Sequence, residues 1–95
     1  MKKKDKERYQ KIAELGCCVC LKFESVFSPC EIHHPWGRSD NGNQKTIGLC
    51  FLHHREGSNN ENYTSRHPWL SEFEDRYGTE ESLLEYTNDL LSGCV

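Results

Sequence analysis

Long apolar runs are missing from this sequence. None of its 95 residues belongs to a stretch near the ~20 apolar residues of a membrane span, so no spanning segment is expected. The N-terminus MKKKDKERY has no apolar stretch behind its lysines, which argues against a secretory signal. An excess of positive charge is lacking too: the formal net charge is −3, so the chain as a whole is no basic nucleic-acid coat. Internal repeats and low-complexity segments are absent, leaving one domain over residues 1–95 as the unit to explain. Apolar residues make up only 35% of the chain and the mean hydropathy is −0.84. A core drawn from so little is thin. Small domains of this kind need a disulfide, a metal or a partner chain to hold them.

What is present supplies the first two options: six cysteines and five histidines. Without a secretory signal the expectation turns from disulfides to metal, and a disulfide knot is set aside. Charge is also unevenly placed. Residues 1–11 carry six Lys/Arg against two acids, and residues 70–95 carry one arginine against seven acids. A basic end and an acidic end suggest one face that meets a polyanion and one that does not, although both are equally read as ordinary solvated helix faces.

The chain punctuates itself with glycine. Residues 3–15 read as a basic helix, with Tyr9, Ile12, Ala13 and Leu15 near one stripe and Gly16 as its stop. Residues 17–30 lack periodicity and read as a knuckle and loop. Residues 30–34 suit a short strand, with a turn-rich loop from Pro35 to Asn43 and a returning strand around Thr46, Ile47 and Leu49. Residues 50–56 suit a short helix and 57–65 a polar loop. Trp69, Leu70, Phe73 and Tyr77 then form a helical face ended by Gly78. Thr79 is placed as an N-cap ahead of Glu80 and Glu81, and Leu83, Leu84, Thr87, Leu90 and Leu91 line a last helix. Both stripes are read as core.

Two ligand patterns stand out. Cys17-x-x-Cys20 and Cys50-x-x-His53 are paired half-knuckles, the spacing that lets four side chains converge on one tetrahedral zinc. Cys18 is an alternative to Cys17 in this role. Cys18, Cys30 and Cys94 otherwise remain as small buried hydrophobes or free thiols. The second pattern is histidine pairing: His33-His34 and His53-His54, with His67 following. A lone histidine is usually a surface or satisfied core residue, but five within 35 residues, four of them in pairs, are not explained that way. In a strand His33 and His34 point to opposite sides, and in a helix His53 and His54 diverge by ~100°. Neighbours therefore serve different centres. His33, His54 and His67 can converge on a second, open metal, with His34 left as an unligated base. Such a centre suits phosphodiester hydrolysis, and Arg38, Lys45, Arg55 and Arg66 lie near it in sequence as phosphate-binding candidates. A zinc-stabilised nucleic-acid or protein binding module without catalysis is the alternative. It needs only Cys17, Cys20, Cys50 and His53, and leaves the other histidines idle.

At these residues the sequence resembles HNH, or ββα-metal, nucleases. The pattern is Cys17-x-x-Cys20, Glu31-Ile32-His33-His34, Thr46-Ile47-Gly48-Leu49-Cys50-x-x-His53-His54-Arg55, then His67. Within that class it is similar to the phage Ref family, the RecA-dependent nucleases of recombination enhancement, also in Phe73-Glu74-Asp75-Arg76-Tyr77-Gly78 and the Thr79 to Glu85 segment. The resemblance covers roughly residues 15–92. It implies an α+β fold: a small treble-clef-like ββα-metal core (16–67) with a structural zinc knuckle, flanked by the N-terminal helix (1–15) and two C-terminal helices (68–92). It implies a metal-dependent endodeoxyribonuclease of phage or prophage type that cuts one strand per active site. His34 would be the general base, His33, His54 and His67 would bind catalytic Mg2+, Mn2+ or Zn2+, and Cys17, Cys20, Cys50 and His53 would bind structural Zn2+. Implied partners are DNA and a RecA filament or another recombination protein, in the cytoplasm of a bacterial host. The place of the central HNH asparagine falls at Lys45, so Asn43, Gln44 or a backbone group would have to orient the base.

Overall fold

Helix α1 runs over Lys3–Leu15 in the computed structural model, which describes residues 2–38 and 42–93. Gly16 ends it with φ +79°, its N–H bonded to the Ile12 carbonyl at 2.9 Å. A Cβ at Gly16 would lie 2.5 Å from the Ser28 carbonyl, so only glycine lets the chain reverse here. The inner face of α1 is more polar than its sequence stripe implies. Ile12 is buried, but Ala13 is exposed, and Asp5 is buried while Arg8 and Tyr9 are half-buried. Arg8 clamps α1 to the turn before the second strand, donating to Thr46 Oγ1 (3.0 Å) and to the Thr46 carbonyl (2.6 Å).

The segment 17–30 is not all loop. Cys18–Glu24 forms helix α2, capped by the Cys17 sulfur, which accepts from the Cys20 N–H at 3.5 Å. Two turns are too few to show periodicity, and a thiol cap lies outside the usual Ser/Thr/Asp signature. Ser25, in the left-handed region at φ +55°, closes the helix.

Strands β1 (Glu31–His33) and β2 (Ile47–Leu49) pair antiparallel, Glu31 opposite Leu49 and His33 opposite Ile47. A 3-10 turn at Gly42–Gln44 precedes β2, and residues 39–41 of the expected loop lie outside the described residues. Gly48 lets the Gly16 turn press against β2, since a Cβ there would meet Cys30 Sγ and the Gly16 carbonyl at 2.7 Å. Helix α3 (Phe51–His54) follows β2 directly. Helix α4 (Leu70–Tyr77) buries Phe73 and Tyr77 but leaves Trp69 exposed. Thr79 caps α5 (Glu80–Leu91) by accepting from the Ser82 N–H at 3.1 Å, and Leu83 and Thr87 face inward.

The architecture is thus α+β: a two-stranded hairpin and α3, with α1 and α2 before and α4 and α5 after. The core is small. Val19, Ile47, Leu49, Phe73, Tyr77 and Leu83 pack directly around Cys17, Cys18, Cys20 and Cys50. No helix among the described residues is long and apolar enough to cross a membrane. Cys94 lies outside the described residues, and the other five cysteines are free thiols.

Candidate metal centres

Cys17 and Cys20 come from the start of α2, Cys50 and His53 from the start of α3, and all four are buried. Their ligand atoms lie within 4.8 Å of one another. His53 Nδ1 sits 3.6 Å from Cys17 Sγ, 3.6 Å from Cys20 Sγ and 3.1 Å from Cys50 Sγ, and the Cys20 and Cys50 sulfurs are 3.9 Å apart. Tetrahedral zinc with its usual bond lengths would set S···N at about 3.6 Å and S···S at about 3.8 Å. The donor set and the spacing therefore both fit zinc. The hydrogen bond from Cys17, then that from His53, pulls the Cys50 thiol down, while the bond to Cys50 and burial push the Cys17 thiol up and burial pushes Cys20 up. Cys18 points elsewhere: it is buried apart from the cluster, and burial pushes its thiol up to about 12. Cys30 is half-buried against the Ile12 carbonyl.

A second cluster lies on the other side of α3. One ring nitrogen each from His33, His54 and His67 falls within 4.8 Å of the others. The rings stand 4.9 to 5.5 Å apart, centroid to centroid. Each outer nitrogen is held by a neighbour. His33 Nε2 is 2.6 Å from Glu80 Oε2, His54 Nδ1 is 2.8 Å from Glu31 Oε1, and His67 Nδ1 is 3.3 Å from Arg66 Nη1. The carboxylates accept from the outer N–H of two rings, which leaves Nδ1 of His33 and Nε2 of His54 for the centre, whereas Arg66 can only donate, so at His67 it meets the Nδ1 lone pair. A carboxylate behind a histidine is the usual way its metal-facing nitrogen is oriented and made more basic. Burial lowers the pKa of His54 and His67, favouring the neutral, ligand-competent ring.

The two carboxylates are themselves anchored. Arg55 grips Glu31 through Nε and Nη2, and this grip, followed by the bond to His54, takes the Glu31 carboxyl down to about 2. Arg66 Nε donates to Glu80 Oε2 at 3.0 Å. Burial alone would raise the Glu80 pKa, but the bonds to His33 and Arg66 outweigh it and keep the carboxyl below its ordinary value. Arg55 and Arg66, both phosphate-binding candidates by sequence, are thus each paired with a carboxylate. Arg38 is exposed beside a cleft of about 170 Å3 that it shares with Lys2, Lys4, Asp5 and Asn43. Lys45 is exposed near Trp36, Glu81 and Leu84.

His34 takes no part in either cluster. Its Nε2 lies 3.0 Å from Asn43 Oδ1 and 2.8 Å from Tyr9 Oη. Burial, helped by the charge of Arg38, outweighs the Asn43 bond and lowers its pKa. Sequence reasoning did not find Glu31, Glu80, Tyr9 or Asp5. Glu31 stands two residues before His33 on the same strand face, a pattern visible in the sequence. Glu80 reads locally as a first-turn helix acid, and nothing in the chain announces its contact with a residue 47 positions away.

Fold and clusters define a small α+β protein with a buried Cys3His centre and a separate three-histidine centre, sharing helix α3. The family of recombination enhancement, RecA-dependent nucleases matches residues 2–92, and the chain belongs to it. No curated protein matches the chain.

Proposed function

We propose that this RecA-dependent nuclease is a metal-dependent DNA endonuclease of the HNH type, one domain that hydrolyses one strand per active site. The observation that carries the reading is the separation of the two adjacent histidines. His33 is directed with His54 and His67 to a common point, while His34 is held apart by Asn43 and Tyr9. Ligands and base need that division, because a histidine that gives its lone pair to a metal cannot also accept a proton.

In this reading Cys17, Cys20, Cys50 and His53 hold a structural zinc, and His33, His54 and His67 hold a divalent metal. The bound metal would stabilise charge on the phosphate and the departing oxygen. His34 takes a proton from water as the water oxygen attacks phosphorus. The bond from phosphorus to the leaving oxygen then breaks, and the neutral form of His34 required for this is favoured by its burial. Glu80 and Glu31 fix the ring planes of His33 and His54. Arg38 and Lys45 remain the candidates for neighbouring phosphates, and a RecA-coated strand is the substrate the family name suggests.

The test is a nicking assay on single-stranded, duplex and RecA-coated DNA with Mg2+ or Mn2+. Cleavage should need the metal and fall by about 10²–10⁴ in His34→Ala, the range of a general base. Fully metallated, folded protein that cuts none of the three substrates would refute the reading.

A further inference from the structure

Helix α1 reaches the base. Asp5 and Tyr9 stand one turn apart on its inner face, and both touch Asn43. The proton positions can be followed through the contacts. Asp5 is an acceptor only. It receives the Gln44 amide on Oδ1, and Asn43 Nδ2 donates to its Oδ2 at 3.4 Å. That fixes the Asn43 amide, turning its oxygen toward Tyr9 and His34. The oxygen accepts from Tyr9 Oη at 2.9 Å and faces His34 Nε2 at 3.0 Å. Tyr9, having spent its hydroxyl proton on Asn43, presents a lone pair to Nε2 at 2.8 Å. His34 Nε2 therefore faces two acceptors and must carry the ring proton, which leaves Nδ1 as the basic nitrogen.

We infer that Asp5 and Tyr9 are positioning residues for the nuclease step: through Asn43 they hold His34 as the Nε2–H tautomer and leave Nδ1 to receive the proton. The catalytic consequence rests on the reading of His34 as the base. The N-terminal helix then completes the active site as well as covering the core. Arg8, between them in sequence, adds rigidity by tying the same helix to Thr46, whose hydroxyl in turn donates to the Asn43 carbonyl at 3.2 Å.

The experiment is a two-bond 1H–15N correlation of the histidine rings in the full-length, zinc-loaded protein, alongside kcat and KM for DNA cleavage. The wild type should give His34 a protonated Nε2 and a bare Nδ1. Asp5→Asn, which replaces an obligate acceptor with an amide that also donates, and Tyr9→Phe should each give a mixture of tautomers. Each should lower kcat about 10- to 100-fold, part of the ~10²–10⁴ of a general base, and leave KM nearly unchanged. A structural role alone would not move the tautomer in a folded variant. A protonated Nδ1 in the wild type, or wild-type tautomers in both variants, overturns the inference whatever the activity. A shifted tautomer with cleavage that survives His34→Ala upholds the positioning of the ring and overturns only the assignment of the base.

Discussion

His33 Nε2 lies 2.6 Å from Glu80 Oε2, and both side chains are buried. The carboxylate that backs this histidine arrives from the first turn of α5, so the last helix of the chain is tied to the histidine centre. Glu80→Gln keeps the shape but gives up the charge. Metal affinity of the three-histidine centre should fall about 10- to 100-fold, the usual cost of losing a carboxylate behind a ligand. Calorimetric titration with Mn2+ at fixed zinc content reads this. Unchanged Mn2+ affinity in a folded Glu80→Gln protein would remove Glu80 from the site.

The Cys3His cluster sits at the middle of the core, among Val19, Leu49 and Tyr77. Structural zinc in small peptides binds with an apparent free energy of about 10–16 kcal/mol, against a total stability of about 5–15 kcal/mol for an ordinary domain. Stripping zinc with a strong chelator should therefore abolish the cooperative melt, and zinc should restore it. Cys20→Ser should do the same without chelator. Circular dichroism with parallel elemental analysis checks both, and a zinc-free chain that melts like the wild type would contradict the assignment.

Burial holds His34 below its ordinary pKa of about 6.5. A depressed histidine is neutral at pH 7, so the form able to accept a proton is already dominant there. The rate governed by His34 should be flat from pH 7 upward and decline only on the acid side of 6.5. A pH profile of kcat on one DNA substrate tests this. A rate still climbing tenfold per unit between pH 7 and 8.5 would show that His34 is not the group being titrated.

Arg38 and Arg55 are predicted to differ although both are exposed arginines. Arg38 faces the lysine-lined cleft, whereas Arg55 is bidentate on Glu31. Arg38→Ala should weaken DNA binding and reduce the slope of log affinity against log salt by about 0.7 to 0.9, the value of one lost phosphate contact. Arg55→Ala should leave the slope alone and weaken metal binding, by freeing Glu31. Equal slopes for the two variants would refute this distinction.

The parts of the fold carried by local pattern were readable from sequence. Gly16 and Gly78 mark real helix ends, Thr79 is a real cap, and the half-knuckles announce a cluster because their two-residue gaps are set by one turn of backbone. Helix α2 was not readable, being two turns long and capped by a sulfur. Nor were the carboxylate partners of the arginines. Arg55 and Arg66 look like phosphate ligands in sequence, and only the fold brings Glu31 and Glu80 to them. The inward polar face of α1 was hidden for the same reason: Asp5 and Tyr9 appear as ordinary members of a charged helix until the turn at Gly42–Gln44 packs on it.

In the proposed arrangement one short chain holds two unlike metal centres, and His34, next to His33 in sequence, belongs to neither. Anomalous scattering from crystals grown with zinc and then soaked in Mn2+, recorded at both absorption edges, tests it directly. Zinc is expected among Cys17, Cys20, Cys50 and His53, manganese among His33, His54 and His67, and no metal on His34. A single metal per chain, or a metal bound to His34, would contradict it.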